Sequence, residues 1–232
     1  QGYSSAASDV YKRQGRSRSN IKSPKLLALG FDGIVAACGT HIEFEGEKLF
    51  ELLLTKAQIE HILTVLRKHQ IPMVLEGPNY IYVDEKDFKD DPYVIYLRNE
   101  LGENLKSITG TAQYEVNKLS AELGNADVEL VRKELGTEFD MIVHEPDGIL
   151  EIGQAGHSKA SGIERLCASL GIAKEDTYAF GDSANDVEML EFVAHGIAMG
   201  NGTDVAKNAA EFVTTDIHKD GIWNGLKHYG LI

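Results

Sequence analysis

The chain has 232 residues, of which 43% are hydrophobic and 25% charged, and its formal net charge is −13. This length and composition fit one or two globular domains with a real hydrophobic core, and the strong negative charge argues against nucleic acid or an anionic membrane as the main partner. No apolar run reaches the roughly 18 residues of a membrane span and no signal peptide is visible, so a soluble cytoplasmic protein is expected.

The N-terminal segment differs from the rest of the chain. Residues 4–19 are polar and show neither helical nor strand periodicity, which is typical of disorder. Part of this stretch resembles a translated sequencing adapter, and the chain starts with Gln1 rather than Met. We therefore predict that residues 1–20 are a disordered, non-native segment and that coding sequence is missing before about Ile21.

Strand–turn–strand patterns dominate the chain as far as about residue 153. Apolar runs predict strands at 26–29 and 34–37, and alternation around Gly46 predicts a hairpin. Thr55 and Gln58 fit a capping box, which marks the start of a helix. Further strands are expected at 73–75, 80–83, 114–121, 139–143 and 149–152, and further helices at 91–102 and 128–135.

Short strands and helices alternate regularly after Gly156. Ser158 is expected to cap a helix that ends just before Gly171, and strands at 177–180 and 197–199 alternate with helices at 187–193, 205–209 and 222–229. This alternation implies a parallel sheet covered on both faces. The predicted fold is therefore α/β: a doubly wound Rossmann-like core from residues 21–41 and 154–232, with an inserted α/β domain at 42–153.

The segment Phe-Gly-Asp-Ser-Ala-Asn-Asp, which ends at Asp186, is the most informative in the chain. It places the carboxylates of Asp182 and Asp186 and the amide of Asn185 after a predicted strand, at the edge where open α/β sheets bind ligands. Mg²⁺ typically takes one or two carboxylates together with water and phosphate. The same residues are also typical of an ordinary acidic turn with a helix N-cap.

Lys159 opens the helix that precedes the strand of this acidic loop. A lysine beside a metal-bound phosphate neutralises developing negative charge. Most lysines on helices are simply exposed to solvent, so the functional interpretation depends on position. Because Lys159 begins one βα unit and Asp182 ends the next strand, both are expected at the same edge of the sheet.

Three segments carry a resemblance to a known family: residues 156–162, 180–186 and 196–201. They resemble the Cof-type branch (class IIB) of the haloacid dehalogenase-like (HAD) hydrolases, and the run from Phe180 to Gly202 has the spacing of that branch's C-terminal signature. The resemblance extends from about residue 21 to the C-terminus. It implies a HAD core with a cap domain at 42–153, and a phosphatase that depends on Mg²⁺.

The resemblance also implies roles for individual residues. Asp182 would ligate Mg²⁺, and Asp186 would support the metal site, partly without touching the ion. Asn185 would contact the substrate phosphate, and Lys159 would hold the phosphoryl oxygens. The implied substrate is a small phosphorylated metabolite such as a sugar phosphate, hydrolysed through an aspartyl-phosphate.

The sequence does not contain an intact motif for the nucleophile of such a reaction. The family attacks phosphorus with the first Asp of an Asp-x-Asp-Gly-Thr loop and binds phosphate with a Ser or Thr after the next strand, and neither motif is intact here. Either the segment around Gly30 and Asp32 is a decayed copy, or the first βα units are absent. The second alternative is favoured by chain length. A helix, a strand and a second helix must lie between the nucleophile and the cap, but once the cap-like part is set aside, too few residues remain between Gly30 and Lys159 to form them, since one βαβ unit takes about 30 residues.

We therefore expect a truncated chain that lacks its nucleophile and is an inactive fragment of a phosphatase. Two other functions fit the same residues. One is a non-catalytic protein that keeps the Mg²⁺ and phosphate sites for binding or regulation. The other is a phosphomutase on the same fold, which would transfer the phosphoryl group to a sugar acceptor rather than to water.

Overall fold

The computed structural model describes residues 16–21, 28, 30–84, 88–109, 114–144 and 148–232. Its strands form three sheets, two of them largely antiparallel and one parallel. The predicted strand at 26–29 lies outside the described residues apart from position 28. No helix in the described part of the chain is both long and apolar enough to cross a membrane.

The first sheet is a small antiparallel one, here called the hairpin sheet. Its strands are β1 (Gly33–Ala36), β2 (His41–Phe44) and β3 (Glu47–Glu51), in that order. The predicted hairpin around Gly46 is thereby confirmed, because the turn at Glu45 and Gly46 has positive φ at both positions, as a tight two-residue hairpin turn requires. The predicted domain boundary after residue 41 falls inside β2.

The structure corrects the prediction of disorder for residues 16–20; the earlier part of that segment lies outside the described residues. A 3-10 turn forms there. The backbone N–H of Ser17 donates to Glu76 Oε2 over 3.3 Å, and the Ser19 hydroxyl donates to the Gly77 carbonyl over 2.7 Å. Both serines are buried. The polar segment that resembled a disordered tail is ordered because its polar groups bond to Glu76 and Gly77.

The second sheet has six strands in the order β6-β5-β4-β7-β9-β8. Side chains alternate between its two faces. One face is apolar and packs against two helices, as predicted from their periodicity. The other face carries the buried polar residues Glu76, Lys118 and Glu151. The elements are α1 (Lys56–Lys68), β4 (Met73–Glu76), β5 (Ile81–Val83), α2 (Pro92–Leu101), β6 (Leu105–Ser107), β7 (Lys118–Glu122), α3 (Val128–Leu135), β8 (Phe139–His144) and β9 (Ile149–Gln154).

The strand predicted at 114–121 begins later than expected, at Lys118. Asn117 explains the difference, because its side-chain amide donates to Glu51 Oε1 over 2.6 Å and to the Leu52 carbonyl over 2.9 Å. The carbonyl of Val116 also accepts the backbone N–H of Leu54 over 2.7 Å. Val116 and the Asn117 side chain therefore bond to the end of β3 and the connection that follows it, while the Asn117 backbone N–H donates to the Glu76 carbonyl of β4 over 2.9 Å.

The third sheet is parallel, as predicted, with strands in the order β10-β11-β12. Helices lie on both of its faces. Ala179 of β10 joins an apolar cluster with Ile163 and Met189 on one face, while a Cβ added to Gly225 would meet the ring of Phe180 at 2.5 Å on the other. The elements are α4 (Lys159–Leu170), β10 (Tyr178–Gly181), α5 (Val187–Phe192), β11 (His195–Ala198), α6 (Asp204–Ala209), β12 (Phe212–Val213) and α7 (Gly221–His228).

A buried histidine connects the strands of the hairpin sheet. The Nδ1 of His41 lies 3.1 Å from Glu51 Oε2, and its Nε2 lies 2.8 Å from Glu43 Oε1. Arg18 and Lys48 each pair with one of these carboxylates. Because both ring nitrogens face carboxylates, both must carry a proton to donate, and the imidazolium form is favoured.

The pH dependence of stability should report this arrangement. Burial alone would lower the pKa of His41, but the hydrogen bonds that its ring donates to Glu51 and Glu43 outweigh burial and raise that pKa above its ordinary value of 6.5. A raised pKa contributes stability that is complete below the ordinary pKa and is lost as pH rises through the folded-state value. Urea unfolding should therefore show a free energy of unfolding that falls as pH increases above 6.5.

The matched control is His41→Gln, which keeps a polar side chain but cannot titrate. Its free energy of unfolding should lack this component of the pH dependence, while the two proteins converge at high pH. If His41→Gln showed the same slope as the unaltered chain above neutral pH, the histidine would not be the titrating group.

Candidate active site

The two predicted parts of the site meet at the C-terminal edge of the parallel sheet. Lys159 is the first residue of α4, and Ser158 before it forms a capping box with Ser161. Asp182 follows β10 directly, and Asp186 ends the short 3-10 turn after it. The ammonium of Lys159 lies 2.8 Å from Asp186 Oδ1. The structure thus brings Lys159, Asp182, Asn185 and Asp186 together, as the sequence predicted.

Asp186 organises the loop with both of its oxygens. Its Oδ1 pairs with Lys159, and its Oδ2 accepts the backbone N–H groups of Asp182 over 2.9 Å and Ser183 over 3.2 Å. The carboxylate is buried. A lysine at the first position of a helix faces the positive end of the helix dipole, so Asp186 supplies the negative charge that holds this ammonium in place.

Asp182 presents the other carboxylate of the loop and is half-buried. Burial, and then the negative charge of Asp186, raise the pKa of Asp182, while Lys159 acts in the opposite direction. A cation next to Asp182 would lower this pKa again, because an opposite charge favours the ionised form. The backbone of Asp182 is held by Thr203, whose N–H donates to the Asp182 carbonyl over 2.8 Å.

Sequence reasoning missed two contributors to the geometry of this loop. The hydroxyl of Ser183 donates to Asn185 Oδ1 over 2.9 Å and so orients that amide. A Cβ on Gly202 would lie 2.9 Å from the Asp182 carbonyl oxygen, so glycine permits this close approach. The resemblance included both positions without assigning them a role, and the spacing alone could not show which atoms meet.

The donor set of the loop fits a hard divalent cation. Carboxylate oxygens are the ligands that Mg²⁺ prefers, with water and phosphate completing its octahedral shell. Because both oxygens of Asp186 are occupied, one by Lys159 and the other by the loop backbone, Asp182 is the carboxylate better placed to touch a metal ion. Across the described residues, no three or more His, Cys, Asp and Glu side chains form a group that could hold a metal.

Cys38 lies close to the site without suiting the role of nucleophile. Its sulfur is 3.7 Å from Glu151 Oε2 on the polar face of the six-stranded sheet. Burial, and then the charge of Glu151, raise the pKa of the Cys38 thiol to about 12, although Lys118 and Lys159 oppose the shift. Because the thiolate is the nucleophilic form, this cysteine is inert near neutral pH.

Comparison with known proteins gives a consistent result. Residues 14–226 match the family described as haloacid dehalogenase-like hydrolase. The Bacillus subtilis (strain 168) protein YkrA, which is provisionally classed as a phosphatase, is 31% identical over 241 residues, covering 96% of this chain and 85% of that protein. The 5-amino-6-(5-phospho-D-ribitylamino)uracil phosphatase YitU of the same organism is 36% identical over 138 residues, covering 57% of this chain and 47% of YitU.

Solved structures share the fold. A hypothetical protein from Geobacillus kaustophilus HTA426 superposes with a TM-score of 0.78 at 30% identity, covering 94% of this chain and 84% of that one. The HAD subclass IIB sugar phosphatase BT4131 superposes with a TM-score of 0.76 at 23% identity, with the same two coverages. At that identity the second comparison speaks to fold alone.

Proposed function

The chain belongs to the haloacid dehalogenase-like hydrolase family and resembles its Cof-type phosphatases, and on this basis we propose that it carries the metal-binding and charge-neutralising half of a Mg²⁺-dependent phosphatase site. The proposed substrates are phosphate monoesters of small metabolites such as sugar phosphates. The observation that carries the proposal is the 2.8 Å ion pair between Lys159 and Asp186, beside an Asp182 carboxylate whose pKa is raised.

Each side chain has a distinct task in this proposal. Asp182 would hold Mg²⁺, which when bound supplies charge neutralisation at the phosphoryl oxygens. Lys159 would bind a phosphoryl oxygen as a point cation, and Asn185 would donate its amide N–H to another. Asp186 keeps Lys159 and the backbone of the loop in place. The aspartyl-phosphate route also needs a nucleophilic carboxylate, which these four residues leave unassigned.

We further propose that the chain by itself binds Mg²⁺ and phosphate but does not turn over monoesters, because no nucleophile is assigned. Isothermal titration with MgCl₂, and then with inorganic phosphate in excess Mg²⁺, should give binding in both steps. Asp182→Asn should abolish the first step. Lys159→Met should preserve Mg²⁺ binding and weaken phosphate binding by about tenfold or more, the usual loss for one charge-assisted hydrogen bond.

The control is Lys56→Met, which removes an ammonium that is mostly exposed on α1 and should change neither step. Absence of Mg²⁺ binding would contradict the metal assignment. Hydrolysis of p-nitrophenyl phosphate that requires Mg²⁺ and disappears in Asp182→Ala would show that another carboxylate of this chain serves as nucleophile. Transfer of phosphate to a sugar rather than to water would favour a phosphomutase.

A further inference from the structure

The turn between β1 and β2 has an uncommon backbone. Ala37, Cys38 and Gly39 all have positive φ, at 49°, 53° and 81°. Residues with a Cβ rarely adopt this region and pay energy to do so, so two such residues in succession need support from their surroundings. Part of that support is local, because the buried hydroxyl of Thr40 donates to the Ala37 carbonyl over 2.6 Å.

Further support comes from Arg16, whose carbonyl accepts the Ala37 N–H over 2.9 Å, and from the first turn of α4, which the left-handed turn touches backbone to backbone. A Cβ added to Gly39 would lie 2.3 Å from the carbonyl oxygen of Ser158. A Cβ added to Gly162 would lie 2.7 Å from the Cα of Gly39 and 2.6 Å from a methyl group of Val35. No side chain fits between the two backbones at either position.

We propose that the left-handed turn at 37–39, seated on Gly162, positions Lys159. The lysine lies within the part of α4 that the turn contacts, between Ser158 and Gly162. Its ammonium reaches Asp186 along a flexible side chain, and the helix dipole disfavours a cation there. The ion pair therefore depends on where the backbone of α4 begins, and the turn fixes that place against the hairpin sheet.

Gly39 and Gly162 are, in this proposal, positioning residues that act through the backbone of Lys159. That Lys159 binds phosphate rests on the proposed function, whereas the positioning of Lys159 by the turn does not. Gly→Ala inside a helix normally stabilises the helix, so harm from Gly162→Ala would come from the close contact with Gly39. A loss of Lys159 order in Gly162→Ala could therefore not come from helix propensity.

The test measures how fast the N-hydroxysuccinimide ester of acetic acid acetylates Lys159 in the full chain, by peptide mass spectrometry. The Lys159 side chain is 15% exposed and ion-paired, whereas that of Lys56 is 71% exposed, so Lys159 should react slowly and Lys56 serves as internal reference. In Gly162→Ala the rate at Lys159 should rise about fivefold or more, as for the loss of roughly 1 kcal/mol of protection, with Lys56 unchanged.

The matched control is Ala168→Gly, which weakens the same helix at an exposed position away from the turn and should leave Lys159 protected. Thr40→Val is a second variant that removes the side-chain hydrogen bond to the Ala37 carbonyl without adding bulk, and it should also speed acetylation of Lys159. An unchanged rate in both folded variants overturns the proposal, as does an equal rise in Ala168→Gly. If Lys159 responds as expected but the chain binds neither Mg²⁺ nor phosphate, the positioning holds and the proposed function fails.

Discussion

Replacing Asp186 with alanine is expected to lower the free energy of unfolding by about 3–5 kcal/mol, the usual result of removing one partner from a buried ion pair. The substitution leaves the Lys159 ammonium without its carboxylate, and the backbone N–H groups of Asp182 and Ser183 without their acceptor. Binding of phosphate in the presence of Mg²⁺ should also disappear, because the loop no longer holds its shape. Urea unfolding followed by circular dichroism measures the first effect, and isothermal titration the second.

Asp182→Asn is the control that separates stability from binding. Asp182 is half-buried beside the negative charge of Asp186, and its raised pKa shows that its ionised form is disfavoured in the folded chain. Removing that charge should leave the stability unchanged or raise it, while Mg²⁺ binding is lost. Equal losses of stability in Asp186→Ala and Asp182→Asn would show that the two carboxylates do not have the different roles assigned to them.

Lys118→Met is expected to have the second large effect, again about 3–5 kcal/mol in the free energy of unfolding. Lys118 is 2% exposed, and its ammonium lies 2.7 Å from Glu151 Oε1 and 3.5 Å from Glu76 Oε1. Methionine has a similar length but deprives two buried carboxylates of the ammonium that they share, and among the described residues only Glu151 has a second basic partner, His144. The hydrogen bonds of Glu76 with Ser120 and Ser17 compensate only part of that loss. Urea unfolding at neutral pH measures the change.

The same substitution at an exposed ion pair provides the control. Lys68 lies 2.7 Å from Glu134, but its side chain is 62% exposed, so Lys68→Met should cost about 0–1 kcal/mol. Comparable losses in the two variants would contradict the argument, because burial is what makes Lys118 different. The comparison also tests the second sheet, since Lys118 can be buried only if its polar face is covered.

Acid titration offers an independent measure of the same cluster. Burial alone would raise the pKa of Glu151, but Lys118 and then His144 outweigh it and lower that pKa to about 2. A lowered pKa contributes stability that is present above the ordinary value of 4.5 and is lost as pH falls toward the folded-state value. In Lys118→Met this acid-side loss should shrink, because the stronger of the two groups that hold Glu151 ionised is gone.

The secondary structure was largely predictable because it depends on local signals. The capping box at Thr55 and Gln58, the helix between Ser158 and Gly171 and the parallel pairing of β10 with β11 all appear as expected. The short strands β6 and β12 were not predicted. Capping and hydrophobic periodicity act over a few residues, so a single sequence carries them. The acidic loop was predictable for the same reason, since Asp182, Asn185 and Asp186 are close in the chain.

The failures came where distant groups meet. Residues 16–20 have the composition of a disordered tail, yet Ser17 and Ser19 are buried against Glu76 and Gly77. Lys118 sits in a strand whose alternation assigns it to one face, but nothing nearby in the chain shows that this face is covered. A polar side chain is expected at the surface unless it is paired, and the partners are remote in sequence.

By itself, the sequence determined the α/β class, the order of most of the elements and the identity of the polar groups at the sheet edge, because these follow from local periodicity, capping and motif spacing. Only the tertiary structure showed which contacts each of those polar groups makes. Asp186 binds Lys159 and the loop backbone, while Asp182 presents a half-buried carboxylate whose pKa is raised. In the sequence, Asp182 and Asp186 are equivalent carboxylates on one loop. They differ in the structure because only Asp186 lies next to the start of α4 and accepts the backbone N–H groups of the loop.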